Sequence, residues 1–307
     1  MRIPPPIPQA LIRTTIELHG PAGAGWLDRL PTLLAESGER WSLEVGPPFP
    51  ELSFNYVAPT LRADGTAAVL KLTFPEDPGF RRETETLRLF NGQGAAQLLE
   101  LDPDRGAMLL ERLESGAPLT TVRDEEEATS IAAGVLRQLW RRVPPRHPFP
   151  SVSDWARGFD RLRRDFGGGT GPMPAALVEK AEALVADLLA SQGESVLLHG
   201  DLHHQNVLAA RREPWLAIDP KGVVGEPAYD TAALLHNPTE LLDAPRPGKV
   251  LERRVDLLSE ELGLDRERVL NWGIAQAVLA AFWGLEDGGR VWKEALVFAG
   301  LLSDLGG

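Results

Sequence analysis

The sequence predicts an α+β chain of two lobes: a small, mainly antiparallel β lobe over residues 1–113 and a larger, mainly helical lobe over residues 114–307. Three observations carry this. A chain of 307 residues is longer than one hydrophobic core normally organises. Before Glu114, short apolar runs alternate with Pro and Gly turns, as strands do. After Ser115-Gly116, apolar residues recur at the three-and-four spacing of helices.

In the first lobe, Trp26 to Glu39 has a helical pattern, and Trp41–Val45, Ser53–Val57 and Ala67–Leu72 read as strands. Asp64-Gly65 is a hairpin signal that delivers the chain to Lys71. A helix over Arg81–Asn91 and strands over Gln97–Leu101 and Ala107–Arg112 complete the lobe. In the second, Glu125–Trp140 and Ala175–Ser191 are amphipathic helices; Leu177, Ala181, Leu184 and Leu188 line one face of the latter. Gly167-Gly168-Gly169 reads as a surface loop. Val207–Ala210 and Trp215–Ile218 form a predicted hairpin around Arg211-Arg212-Glu213-Pro214, and Gly273–Leu285 is an apolar helix.

Composition narrows the class. The absence of cysteine excludes disulfides, thiolate metal sites and a cysteine nucleophile. Met1 to Pro8 lacks the basic-then-apolar run of a secretion signal, and Gly273–Leu285 is too short to span a bilayer, so a cytoplasmic enzyme without a membrane partner is expected. A formal net charge of -12 argues against a nucleic-acid partner; it suits a cationic substrate and equally suits plain solubility.

The chemistry concentrates in His199-Gly200-Asp201-Leu202-His203-His204-Gln205-Asn206 and in Asp219 beyond the predicted hairpin. An alcohol attacking a γ-phosphate needs a carboxylate that orients the hydroxyl and takes its proton, and Asp201 is the candidate base. Asn206 and Asp219 are hard oxygen donors suited to Mg²⁺, an ion held by few protein oxygens together with phosphates and water. Asp201 and Asn206 stand at the base-to-asparagine interval of a protein-kinase catalytic loop. The hairpin would return Asp219 to Asn206. A metal-hydrolase reading of His199, Asp201, His203 and His204 is the alternative. It leaves Asn206, Asp219 and Lys71 unexplained.

The chain resembles the kinase-like aminoglycoside and hydroxyurea resistance phosphotransferases. The resemblance rests on Val69-Leu70-Lys71-Leu72, Glu83 to Leu89, Leu109 to Leu113, His199 to Leu208, Gly225 to Asp230 and Trp283 to Gly288, which run in family order over most of the chain. It implies a protein-kinase-like fold, a nucleotide-binding first lobe, a second lobe carrying catalytic loop and acceptor site, and transfer of phosphate from Mg-ATP to a hydroxyl of a small molecule such as an aminoglycoside. A metabolic kinase acting on a sugar, amino alcohol or hydroxyurea-like acceptor is the rival, with a non-catalytic nucleotide-binding protein behind it. Asp219 precedes Pro220-Lys221 rather than Phe-Gly, so a movable Phe switch is not carried over.

The resemblance also implies residue roles. Lys71 would contact the α- and β-phosphates and pair with a helix carboxylate. Glu83 and Glu85 compete for that place, and Glu83, which shares a helix face with Leu87 and Phe90, is preferred. Glu111 and Leu113 would hold the purine through backbone groups. Gly46 to Ser53 replaces a glycine-rich loop, with the Ser53 hydroxyl and local amides as phosphate contacts. Asp230 would cap the next helix or brace the catalytic loop, and His199 would brace it by hydrogen bonds. Glu286 and Asp287, expected to follow the apolar helix, would meet a cationic group of the acceptor or cap the helix end.

Overall fold

The structure is a computed structural model that describes residues 7–50 and 52–306. It divides into two compact units, Met1–Gly92 with Ala96–Glu114, and Gln93–Ala95 with Ser115–Gly307. Gln93–Ala95 belong with the second because the Gly94 carbonyl accepts the Ala217 amide at 2.8 Å and Ala95 bridges Ala217 in parallel.

The first unit is a five-stranded antiparallel sheet of order β1-β2-β3-β5-β4, built from β1 (Leu43–Val45), β2 (Tyr56–Arg62), β3 (Ala67–Leu72), β4 (Leu98–Asp102) and β5 (Ala107–Glu111). Side chains alternate across β3. Ala68, Leu70 and Leu72 are fully buried in a cluster with Leu30 and Leu33 of helix α1 (Gln9–Arg40). Each such leucine contributes about 1.5–3 kcal/mol relative to exposure. Lys71 takes the opposite face beside its cross-strand partner Met108. Helix α2 (Pro78–Phe90) packs Phe80 and Leu87 against Met108.

Several boundaries differ from the sequence reading. The first helix begins at Gln9, with non-helical geometry at Gly20 (φ 55°) ahead of Pro21; the Gly and Pro residues there read as breakers, and the chain absorbs them in a kink. β2 starts at Tyr56 and runs through Pro59, whereas the predicted strand began at Ser53 and stopped before the proline. Pro59 is tolerated because its carbonyl points toward the β1 side, accepting the Gly46 amide at 2.8 Å, so its ring nitrogen faces the same way and removes no donor from the β2–β3 ladder. Trp41 and Ser42 form a turn, Ser42 at φ 54°, and the first strand begins only at Leu43.

α2 gains a turn upstream because Asp77 caps it, accepting the Gly79 amide at 2.7 Å, and it ends at Asn91 in the left-handed region. In the second unit, α3 (Glu125–Leu139) is capped by Asp124, and α6 (Ala175–Ala190) and α9 (Arg266–Gly288) supply the long helices. α9 buries every residue from Trp272 to Phe282. Short antiparallel pairs carry the loops: β6 (Val196–Leu198) with β9 (Val223–Gly225), and β7 (Val207–Ala209) with β8 (Trp215–Ala217). No helix of the described residues is long and apolar enough to cross a membrane.

Candidate active site

In the first unit, the alternation that buries Leu70 and Leu72 aims Lys71 at α2. Its ammonium lies 2.7 Å from each carboxylate oxygen of Glu83, and both side chains are buried. Glu85 points outward and pairs with Arg88 at 2.7 Å. Helical geometry separates the two glutamates: Glu83 shares its face with Leu87 and Phe90, which are buried. A lysine kept charged in such a place needs a carboxylate partner.

The end of β5 is tied into the sheet. The Glu111 amide donates to the Gln97 carbonyl at 2.9 Å, and the Glu111 carboxylate accepts the Gln97 amide at 3.1 Å. Leu113, beyond the strand, is buried. Ser53 sits in bends ahead of β2; Glu51 of the same segment lies outside the described residues.

In the second unit, the β7–β8 hairpin pairs Val207 with Ala217 and is extended by the Ile218 amide donating to the Asn206 carbonyl at 2.9 Å. That bond returns Asp219 to Asn206. Asp219 has φ 58°, a left-handed geometry that Asp tolerates better than most residues and that concentrates at functional sites. Asn206 donates its side-chain nitrogen to the Asp201 carbonyl at 3.0 Å, and that nitrogen lies 3.2 Å from His203 Nε2. Neither contact uses its amide oxygen.

Buried groups hold the loop below these side chains. His199 is fully buried; its Nε2 bonds the Ile218 carbonyl at 2.9 Å and its Nδ1 accepts the Asp201 amide at 3.2 Å. Burial pushes its pKa down to about 3, so the ring is neutral with the proton on Nε2. Both nitrogens are engaged in bracing, which removes His199 from the metal-hydrolase reading. Asp230 accepts the amides of His199 and Gly200, at 2.9 and 2.8 Å, and the Trp140 indole N–H at 3.1 Å. Gly200 stands at φ 84°, and a Cβ there would come within 2.8 Å of Trp155. Of the two roles expected for Asp230, the brace is the one observed; it lies in a 3₁₀ turn ahead of α7 (Ala232–Leu235). Burial raises its pKa to about 6, against the lowering by its backbone hydrogen bonds.

Asp201 projects from this braced loop with its side chain 35% exposed, Oδ2 lying 4.0 Å from His203 Nε2 and 3.9 Å from the Lys221 ammonium. Loss of hydration raises its pKa, Lys221 and His203 oppose the rise, and Asp219 adds to it. Lys221 also makes an ion pair with Asp219. Sequence reasoning registered Lys221 only as a departure from Phe-Gly; its position two residues past a metal-type aspartate was the available signal. Trp140 had no signal in the sequence.

The expected metal ligands fit Mg²⁺. Asn206 and Asp219 offer hard oxygens, and the Asp219 carboxylate already meets the positive charge of Lys221. Glu286 and Asp287 fall inside the last turns of α9 rather than after it, because the helix runs on to Gly288. Glu286 is held by Arg161 in a two-pronged pair at 2.7 and 2.9 Å.

Comparison with known proteins agrees with this geometry. Residues 40–288 match the family model described as aminoglycoside/hydroxyurea antibiotic resistance kinase. Streptomycin 6-kinase of Streptomyces glaucescens is 37% identical, with 95% of this chain and 94% of the relative covered. Hydroxyurea phosphotransferase of Kitasatospora aureofaciens is 36% identical, over 92% and 81%. Among solved structures, aminoglycoside phosphotransferase APH(4)-Ia superposes with a TM-score of 0.62 at 14% identity, over 89% of this chain and 97% of that one. Choline kinase LicA of Streptococcus pneumoniae reaches a TM-score of 0.61 at 14% identity, over 88% and 98%. The predicted α+β, protein-kinase-like fold is thereby established, and the chain belongs to the aminoglycoside/hydroxyurea antibiotic resistance kinase family.

Proposed function

We propose that the protein is an ATP- and Mg²⁺-dependent O-phosphotransferase that acts in the cytoplasm on a hydroxyl of an aminoglycoside-type antibiotic, streptomycin being the first candidate. The observation that carries this is one loop system in which Asp201, Asn206 and Asp219 converge on buried braces. Asp201 orients the acceptor hydroxyl and receives its proton as the oxygen attacks the γ-phosphorus. Loss of hydration raises its affinity for a proton, the direction that favours a base. Asn206 and Asp219 would hold Mg²⁺, whose charge offsets that of the phosphates. Lys71, kept in place by Glu83, contacts the α- and β-phosphates. Leu113 and Glu111 would present backbone groups to the purine, and Ser53 would approach the phosphates.

Two features support a cationic, ring-bearing acceptor. A cavity of about 270 Å³ beside the catalytic loop is lined by His203, Gln205, Glu240 and Trp292 among others, so a carboxylate and an indole share it with the imidazole that neighbours Asp201. Trp292 follows α9, and its amide donates to the Ala281 carbonyl of that helix at 3.4 Å. Arg161 neutralises Glu286, so Asp287 is the carboxylate of that pair open to a substrate cation. Incubating purified protein with γ-labelled nucleotide and, separately, streptomycin, other aminoglycosides, hydroxyurea and sugar alcohols tests the reading. Label transfer to streptomycin is expected. Transfer only to a neutral hydroxyl compound would replace the antibiotic with a metabolite.

A further inference from the structure

The ammonium of Lys221 pairs with Asp219 and stands 3.9 Å from Asp201. We propose that Lys221 is a tethered cation that holds the Asp219 carboxylate before nucleotide binds, and that a divalent metal would have to displace it there. The inference rests on the reading of Asp219 as a metal ligand and goes beyond it.

Three observations converge. First, the backbone gives Lys221 little choice of origin. Asp219 is locked at φ 58°, Pro220 fixes the next φ, and the amides of Lys221 and Gly222 both donate to the His199 carbonyl, at 2.8 and 3.2 Å. The stem therefore starts from a fixed point beside the loop. Second, the carboxylates need a counter-charge. Asp201 and Asp219 both stand within reach of the Lys221 ammonium, and a lysine ammonium is a compact, strongly hydrated point charge comparable to a small cation. Third, the side chain is partly open to solvent. It is 42% exposed, and its four-carbon stem can turn toward solvent or toward phosphate oxygens without moving the backbone. A buried, rigid arginine would not allow this exchange.

The arrangement has a thermodynamic consequence. A site whose competent form is open only part of the time binds with an affinity reduced by that fraction. Metal alone should bind weakly. Metal arriving with nucleotide should bind well, because the phosphates supply further oxygens for the ion and a new partner for the released ammonium. Lys221 thus couples metal entry to nucleotide entry and keeps Asp219 ordered beforehand.

The test measures Mn²⁺ binding to the full chain by electron paramagnetic resonance, with and without the non-hydrolysable analogue AMP-PNP, in wild type and in Lys221→Met. Without nucleotide, Lys221→Met should bind Mn²⁺ about tenfold more tightly than wild type, as expected when a competitor that fills the site about nine-tenths of the time is removed. With AMP-PNP the difference should shrink or reverse. Equal or weaker Mn²⁺ binding by Lys221→Met without nucleotide overturns the proposal. Failure of wild type to bind Mn²⁺ even with AMP-PNP would instead overturn the metal-ligand reading of Asp219. If Lys221→Met does not fold, the wild type decides: reductive methylation of Lys221, read by mass spectrometry, should speed up when Mg²⁺ alone is added at millimolar concentration. An unchanged rate under Mg²⁺ that saturates the site counts as refutation.

Discussion

Asp230 accepts the Gly200 amide at 2.8 Å from a position 30 residues further along the chain, and its other oxygen takes the His199 amide at 2.9 Å. A buried carboxylate therefore holds the backbone from which Asp201 projects. Replacement by Asn turns one acceptor oxygen into a donor facing backbone or indole N–H groups. Asp230→Asn should lose about 2–3 kcal/mol of stability, the cost of leaving buried donors unsatisfied. Urea denaturation near pH 7 checks this, and a loss below 0.5 kcal/mol would contradict the brace.

The same residue sets a pH dependence. Its folded pKa, about 6, lies above the ordinary carboxylate value, so between pH 4 and 6 the native state binds more protons than the unfolded state. Its contribution is thus favourable below that window and is lost as pH rises through 6. Subtracting the stability profile of Asp230→Asn from that of wild type over pH 4–7 should expose a component that declines between the two pKa values, half of it lost at about pH 5. A component rising over that range would contradict the sign.

Asp201→Asn and Asp219→Asn should fail differently. The first removes the proton acceptor and should lower turnover about 10²–10⁴-fold while leaving the nucleotide dissociation constant within a factor of a few. The second should weaken Mg-nucleotide binding as well. Calorimetry with AMP-PNP, combined with steady-state rates, separates them. Equal turnover in wild type and Asp201→Asn would remove Asp201 as base.

Glu83 and Glu85 offer a matched comparison. Glu83→Ala removes the buried carboxylate that meets the Lys71 ammonium and should cost about 3–5 kcal/mol of stability. Glu85→Ala removes only an exposed pair with Arg88 and should cost less than about 0.5 kcal/mol. Glu83→Gln should raise the nucleotide KM more than Glu85→Gln. Thermal melts and nucleotide titrations report both.

For the acceptor, Asp287→Asn and Glu240→Gln should raise the KM for a cationic substrate and leave the nucleotide KM nearly unchanged. The effect should fade with salt as exposed charges are screened over about 10 Å at 0.1 M. Glu286→Gln should act mainly by freeing Arg161. An acceptor KM indifferent to ionic strength and to these changes would favour a neutral acceptor.

Much of the site was legible in the chain because its determinants are local. Alternation along Ala67–Leu72 is enough to set Lys71 against the leucines, and a helical period is enough to separate Glu83 from Glu85. The interval from Asp201 to Asn206 and a short hairpin are enough to bring Asp219 back. These relationships depend on backbone periodicity and on hydrogen bonds between near neighbours, which residue types reveal directly.

Other features depend on partners distant in sequence, and only the tertiary structure decides them. Pro59 stays within a strand because its ring nitrogen faces the side where the β3 ladder does not need it. Glu286 finds Arg161 across 125 positions, and Asp230 reaches the His199 and Gly200 amides and the Trp140 indole. Lys221 turns toward Asp219 and Asp201 because a left-handed aspartate and a shared carbonyl fix where its stem begins. The sequence determined which residues carry charge and in what order. Which charge each one meets depends on packing and desolvation, and those forces act only once the chain is folded.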